Sequence, residues 1–363
     1  MAVKILHAAD FHMDSPYNAL PESMAAQRRS EMRALLHRLF HFAEKEGTQL
    51  ILLSGDLLES SVSYHETREA LLSAMEGCVA KIFISPGNHD YYCPTSPYAY
   101  LDFPENVHIF RSPSISSVEL PELGARVYGA GFIAQSCQPL LTNFSVENDG
   151  PINLMVMHGD MSGGEYNPVS ESDLAKTSLD YVALGHIHTF SGIKKAGRTF
   201  YAYPGCIEGR GFDETGEKGF IAGTVDKGKC DLRFVPAGGR QYHIEKIDLT
   251  GQSDPTAAIL ENLPENAARD VYRLVMTGEF SGAINLEKLQ SLLAGSFYRV
   301  TVRDGTYLPR DIWAGADEDT LTGGFLRRLR AEFDSAADDK KELIIMAVRY
   351  GLAALEKREE WQP

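Results

Sequence analysis

Along the first two thirds of the chain, short apolar runs alternate with turn-rich or amphipathic stretches, the pattern of a sheet-centred α/β or α+β domain. The runs at 3–9, 50–54, 81–85, 152–157 and 181–184 predict strands. Between the first two, Met32, Leu35, Leu36, Leu39, Phe40 and Ala43 recur at the spacing of one helix face, backed by Arg33, Arg38, Glu44 and Lys45. That segment predicts a helix packed on the sheet. Residues 219–236 read as two strands joined by the turn Asp226-Lys227-Gly228-Lys229, closing a first domain over 1–240.

Beyond residue 245 the pattern changes. Runs at 272–276 and 298–302 predict strands, and the spacing over 286–293 predicts a helix between them, giving a small α+β domain over 245–310. Over 320–363, Leu321, Phe325, Leu326, Leu329 and Phe333, followed by the apolar positions of 343–355, predict two helices separated by the acidic turn 334–339.

Composition adds boundaries to this picture. With 363 residues, 44% of them hydrophobic, the chain can bury a substantial core. The opening MAVKILHAAD lacks the apolar stretch and cleavage site of a leader, and no segment approaches the roughly 18 apolar residues of a membrane span, so a cytoplasmic location without membrane contact is expected. Five widely spaced cysteines without a C-x-x-C pair are expected to be free thiols. The net charge of −15 argues against tight metal-independent binding of nucleic acid, although a basic rim near a metal centre would matter more than the total.

Five short motifs then stand out, each at the end of an apolar run: Asp10-Phe11-His12, Gly55-Asp56, Gly87-Asn88-His89-Asp90, His158-Gly159-Asp160 and Gly185-His186-Ile187-His188. Ligands that follow strands converge at the carboxyl edge of a sheet, and the adjacent glycines let backbone and side chains crowd around an ion. Imidazole and carboxylate without thiolate suit manganese, iron or zinc and disfavour calcium. Any one motif alone is equally a turn, a cap or a core histidine.

The ordered set resembles the calcineurin-like metallophosphoesterase superfamily over the whole first domain. The resemblance implies an α+β fold, a two-sheet sandwich flanked by helices, here followed by a small C-terminal α+β cap and a helical tail. It also implies two divalent metal ions, with Mn²⁺ favoured and iron, zinc or magnesium as alternatives. Asp10, His12 and His188 would bind the first, Asn88, His158 and His186 the second, and Asp56 would bridge them. His89 would be the catalytic histidine; Asp90 either orients it or caps the loop.

Within the superfamily, the opening His-Ala-Ala-Asp-Phe-His-Met-Asp-Ser-Pro (7–16) and the stretch 203–212, Tyr-Pro-Gly-Cys-Ile-Glu-Gly-Arg-Gly-Phe, resemble SbcD-type DNA repair exonucleases. That branch implies DNA as substrate, a homodimer, and an SbcC-type ATPase partner for the helical tail. Nucleotide or other small phosphoesters remain the alternative substrate, and a non-catalytic subunit of an ATPase–nuclease complex the alternative role. Glu59 departs from the branch, which usually has Asp or His there, and an outer role behind a ligand is expected of it. Arg210 and Lys218 are the expected substrate contacts. Lys194, Lys195 and Arg198 are expected in a solvated loop, and Tyr91 and Tyr92 in ordinary packing.

Overall fold

The computed structural model describes residues 2–147, 150–280, 284–307 and 311–355. Of the capping segment and helical tail expected over 245–310 and 320–363, residues 281–283, 308–310 and 356–363 lie outside the described residues.

The strands are, in chain order, β1 (Val3–Ala8), β2 (Leu50–Leu53), β3 (Lys81–Ile84), β4 (Val107–Ile109), β5 (Ser116–Leu120), β6 (Ala125–Gly129), β7 (Ile152–His158) and β8 (Tyr181–Gly185). They continue as β9 (Lys194–Ala196), β10 (Thr199–Ala202), β11 (Gly219–Asp226), β12 (Lys229–Pro236), β13 (Tyr242–Asp248), β14 (Val271–Thr277) and β15 (Arg299–Asp304). The helices are α1 (Glu22–Lys45), α2 (His65–Glu76), α3 (Pro97–Tyr100), α4 (Glu171–Thr177), α5 (Pro255–Glu261), α6 (Leu286–Leu293), α7 (Leu321–Ser335) and α8 (Asp338–Leu355).

Two mixed six-stranded sheets, β12-β11-β1-β2-β3-β4 and β5-β6-β7-β8-β10-β9, carry the first domain. In the first, β1 to β4 run parallel and the β11–β12 hairpin adds antiparallel at β1. In the second, β6, β7, β8 and β10 are parallel, with antiparallel β5 and β9 at the edges. The hairpin turn falls where the sequence predicts it, with Asp226 paired to Lys229.

Period-two alternation sends the apolar residues of the central strands to both faces of each sheet. Val3 and Ile5 of β1, with Leu50, Leu52 and Phe83, pack between the sheets against Val127, Leu154, Val156, Tyr181 and Ala183 of the other layer. Leu6 and Ala8, with Ile51, Leu53 and Ile84, turn outward under α1 and α2, meeting Leu35, Leu36, Leu39 and Leu71. The outward face of the second sheet, with Met155, Met157, Val182 and Leu184, is covered by Leu174 of α4. The result is a sandwich flanked by helices, with one core between the sheets and one on each outer face.

By compactness the chain forms two units: Met1–Ile244 with Glu265–Arg273 and Ser296–Val300, and Glu245–Pro264 with Leu274–Gly295 and Thr301–Pro363. A third sheet has the order β13-β14-β15. In the second unit, α7 and α8 pack around Ala316, Leu326 and Val348.

The core between the sheets also takes in polar side chains. His7 follows Val3 and Ile5 inward, and its ring is satisfied at 2.8 Å by Tyr181 Oη on one side and at 2.8 Å by Ser54 Oγ on the other. Burial holds its pKa down at about 3, against 6.5 when free. Between those values the unfolded chain binds a proton that the folded chain excludes. The stability tied to neutral His7 is therefore complete above pH 6.5 and declines as pH falls, by about 1.4 kcal/mol per unit. Urea unfolding at pH 7 and pH 5.5 should show the wild type losing roughly 1 kcal/mol more than His7→Gln over that interval. Equal losses would contradict the burial of a neutral ring.

Candidate metal centre

The parallel strands of both sheets end at the same place. Asp10 and His12 follow β1, Asp56 follows β2, and Asn88 and His89 follow β3, whereas His158 ends β7 and His186 and His188 follow β8. Space is the first constraint there. A Cβ on Gly87 would stand 2.2 Å from Asp56 Oδ1, one on Gly185 would stand 1.9 Å from the Ser54 carbonyl, and Gly55, at φ +92°, lies under His158. Asp10, His12, Asp56 and His186 themselves adopt positive φ (53°, 45°, 51° and 113°), a conformation that costs energy outside glycine and that clusters at functional sites.

Two imidazole pairs face each other across Asp56. His12 Nε2 and His188 Nε2 are 3.2 Å apart, and His158 Nε2 and His186 Nδ1 are also 3.2 Å apart. Asp56 Oδ2 lies 3.7 Å from His12 Nε2 and 3.5 Å from His158 Nε2, so one carboxylate reaches both pairs. Asp10 Oδ1 is 3.8 Å from His188 Nε2, and Asn88 Oδ1 is 2.9 Å from His158 Nε2 and 3.2 Å from His186 Nδ1. Asp10, His12 and His188 form one compact triad of donor atoms, and Asp10, Asp56 and His158 another; His89 joins His12 and Asp56 in a third.

Tautomers follow from the outer nitrogens. His158 Nδ1 donates to the Ser54 carbonyl at 2.9 Å, which leaves a lone pair on Nε2. His188 Nδ1 is 2.6 Å from Glu214 Oε1, which does the same for its Nε2. Lone pairs on His158 Nε2, His188 Nε2 and Asn88 Oδ1 thus face into the cluster beside Asp56, an arrangement that a cation stabilises. Burial lowers the pKa of His12 to about 4 and that of His158 to about 3, so both rings are neutral as ligation requires. Burial, and then the neighbouring Asp56, push Asp10 well above the usual carboxylate range, a cost that positive charge in the site relieves. The donor set therefore fits divalent ions: Asp10, His12 and His188 would hold one, Asn88, His158 and His186 another, with Asp56 shared.

Asp90 lies behind this layer. Its carboxylate accepts from the backbone N–H of Gly87 (2.7 Å), Asp56 (3.2 Å), Leu57 (2.7 Å) and Leu58 (3.2 Å), and from Tyr98 Oη (2.6 Å). It is thus the cap that ties two ligand loops together, rather than a partner of the His89 ring. The His89 ring, 40% exposed, instead has Nδ1 3.3 Å from the Glu59 carbonyl, and it packs edge-on against His12.

Arg210 and Lys218, expected at the substrate, both have partners within the chain beside the cluster. Lys218 Nζ donates to the backbone carbonyl of His188 at 3.0 Å. Arg210 donates at 3.0 Å to Glu59 and at 3.0 Å to Glu214, so its guanidinium is engaged by carboxylates. Glu59, an expected outer residue, has Oε2 3.2 Å from His12 Nδ1. Glu214 behind His188 was not predicted: within the charged run 213–218 it resembles any solvated acid, and only folding brings it to the imidazole. Arg198 is paired with Asp180, and Lys194 and Lys195, expected in a loop, are exposed on the edge strand β9. Tyr92 packs against the core and lies beside Arg111.

The calcineurin-like phosphoesterase family model matches residues 3–190, the span that supplies every one of these donor side chains. The chain belongs to the calcineurin-like phosphoesterase family. Among curated proteins it is similar to the uncharacterized metallophosphoesterase YhaO of Bacillus subtilis (strain 168), 29% identical over 266 residues. That match covers 69% of this chain and 64% of YhaO, so the chain spans less than two thirds of that relative's length. Among solved structures it is similar to TT1561 of Thermus thermophilus, at 12% identity and a TM-score of 0.38, covering 63% of this chain and 100% of that one. No helix among the described residues is long and apolar enough to cross a membrane.

The clustered aspartates and histidines of this family member fit divalent metal. Because Asp56 reaches both imidazole pairs, Asp56→Ala should lower the metal content of stripped and reloaded protein from about two ions per chain to well under one, whereas His186→Ala should retain about one. Elemental analysis distinguishes them, and full loading of Asp56→Ala would exclude a shared ligand at that position.

Proposed function

We propose that this phosphoesterase is a two-metal, manganese-favouring phosphodiesterase acting on DNA ends or single strands, like the SbcD-type nucleases of DNA repair. The observation that carries the reading is the meeting of the two segments whose sequences resemble those nucleases. Ala9 and Cys206 form a parallel bridge, and Arg210 Nη1 donates to Ser15 Oγ at 3.2 Å, so 7–16 and 203–212 together border the His12–His188 pair.

Bound divalent ions would supply Lewis-acid polarisation of a phosphate oxygen and a nucleophilic water at neutral pH. The chain's own contribution is positional. Asp10, Asp56 and the four imidazoles fix where charge accumulates, and the buried loops exclude bulk water from beneath them. When water attacks phosphorus and the ester P–O bond breaks, the leaving oxygen takes a proton. His89 is suited to give it: with Nδ1 toward the Glu59 carbonyl, Nε2 is the nitrogen free to exchange a proton at the open side of the cluster.

A second reading, hydrolysis of nucleotides or other small phosphoesters, draws support from the net charge of −15, which disfavours a long polyanion. Both readings meet one experiment: stripped protein reloaded with Mn²⁺ and offered end-labelled single- and double-stranded DNA beside a chromogenic phosphodiester. DNA cleavage that falls roughly 10²–10⁴-fold in His89→Ala, with metal content retained, is expected. Brisk hydrolysis of the small diester with DNA left intact would overturn the nuclease reading in favour of the second. Unchanged turnover in His89→Ala would remove that residue from the chemistry.

A further inference from the structure

We infer that Arg210 is a positioning residue that braces one of the two metal positions, the one formed by Asp10, His12 and His188, and leaves the other untouched. The inference rests on the metal-centre reading above and deepens it.

The brace is a closed chain of contacts. Glu59 Oε2 lies 3.2 Å from His12 Nδ1, accepts from Ser15 Oγ at 2.7 Å and accepts from Arg210 Nη1 at 3.0 Å. On the other side Glu214 Oε1 lies 2.6 Å from His188 Nδ1 and accepts from Arg210 Nη2 at 3.0 Å, while Glu214 Oε2 accepts from the Arg210 backbone N–H at 2.7 Å. The two rings so backed turn their Nε2 atoms toward each other at 3.2 Å. Arg210 therefore closes a ring that runs from His12 through both carboxylates to His188.

The chemistry of guanidinium explains why arginine stands here. Its planar fork offers two N–H groups at a fixed angle, one to each carboxylate, a geometry that a single ammonium cannot reproduce. It also supplies the charge that the arrangement needs. Glu59 and Glu214 back the outer nitrogens of rings whose inner nitrogens face Asp56 and Asp10, and Arg210 is the cation paired with both glutamates.

The other position lacks this support. His158 Nδ1 is held by the Ser54 backbone carbonyl, and His186 Nε2 is 3.8 Å from Asp160. A carboxylate behind an imidazole raises its donor strength and fixes its ring, and loss of such outer partners typically weakens metal binding about 10–100-fold. Removing Arg210 should therefore weaken one metal position and spare its neighbour, whereas general damage to the fold would weaken both.

The test is calorimetric titration of the stripped full chain with Mn²⁺, with bound-metal stoichiometry by elemental analysis, for wild type, Arg210→Ala, Arg210→Lys and Glu214→Gln. Wild type is expected to bind two ions. Arg210→Ala should bind one with wild-type affinity and the other roughly 10–100-fold more weakly. Arg210→Lys, which restores charge without the fork, should recover only part of the loss. Should Arg210→Ala fail to fold, Glu214→Gln, which removes charge behind His188 alone, should show the same single-site weakening. Two unchanged affinities, or two that fall together, would overturn the brace. A wild type that takes up no metal would instead overturn the metal-centre reading itself.

Discussion

One carboxylate, Asp56, has to reach imidazoles carried by two different sheets, and the rest of the structure serves that requirement. Its Oδ2 lies 3.7 Å from His12 Nε2 and 3.5 Å from His158 Nε2, one from the loop after β1 and the other from the end of β7. Distances of this size fail if the sheets slide by a fraction of a strand repeat. Register is fixed by the interlocked residues between the layers, where Leu52 and Phe83 meet Leu154 and Val156. Loop position is fixed by Asp90, whose carboxylate gathers amides from the Gly55-Asp56 and Gly87-Asn88 loops onto one anchor, itself tied to Tyr98.

The electrostatics follow from the same convergence. Burial and mutual repulsion push Asp10 and Asp90 above the ordinary carboxylate range, whereas Glu59, though burial pushes it upward, is held at about 2 by His12, Ser15 and Arg210. Asp10 in the ligand layer thus has too little compensating charge within the protein, whereas Glu59 behind it has enough. The two layers differ in what they ask of an ion: the inner one needs positive charge, and the outer one directs the imidazoles that receive it.

Much of this was legible in the sequence. The apolar runs around residues 3–9, 50–54, 81–85, 152–157 and 181–184 correspond to β1, β2, β3, β7 and β8, because strands buried on both faces leave a nearly unbroken hydrophobic signal. The edge strands β4, β5 and β9 left none: Val107–Ile109 is short, and Ser116–Leu120 and Lys194–Ala196 are half polar, as strands with an exposed flank can be. Residues of the inner layer announced themselves because each closes a strand beside a glycine. Glu214 and Arg210 did not, since a glutamate or an arginine in a loop acquires meaning only from what lies across from it in space. Arg210 was expected at the substrate, and the carboxylates that occupy its guanidinium were not legible. For Asp90 the sequence left orienting and capping roles open, and the hydrogen bonds belong to the second.

The positive φ values at Asp10, His12 and Asp56 bear on how such a site could decay. In the left-handed region asparagine, aspartate, histidine and glycine are tolerated far better than branched or bulky side chains. A descendant relieved of the need to hold metal would therefore drift along a narrow path, toward asparagine or glycine at these positions, because the backbone would go on rejecting valine or leucine. The memory of the metal centre would persist in the turns longer than in the ligands.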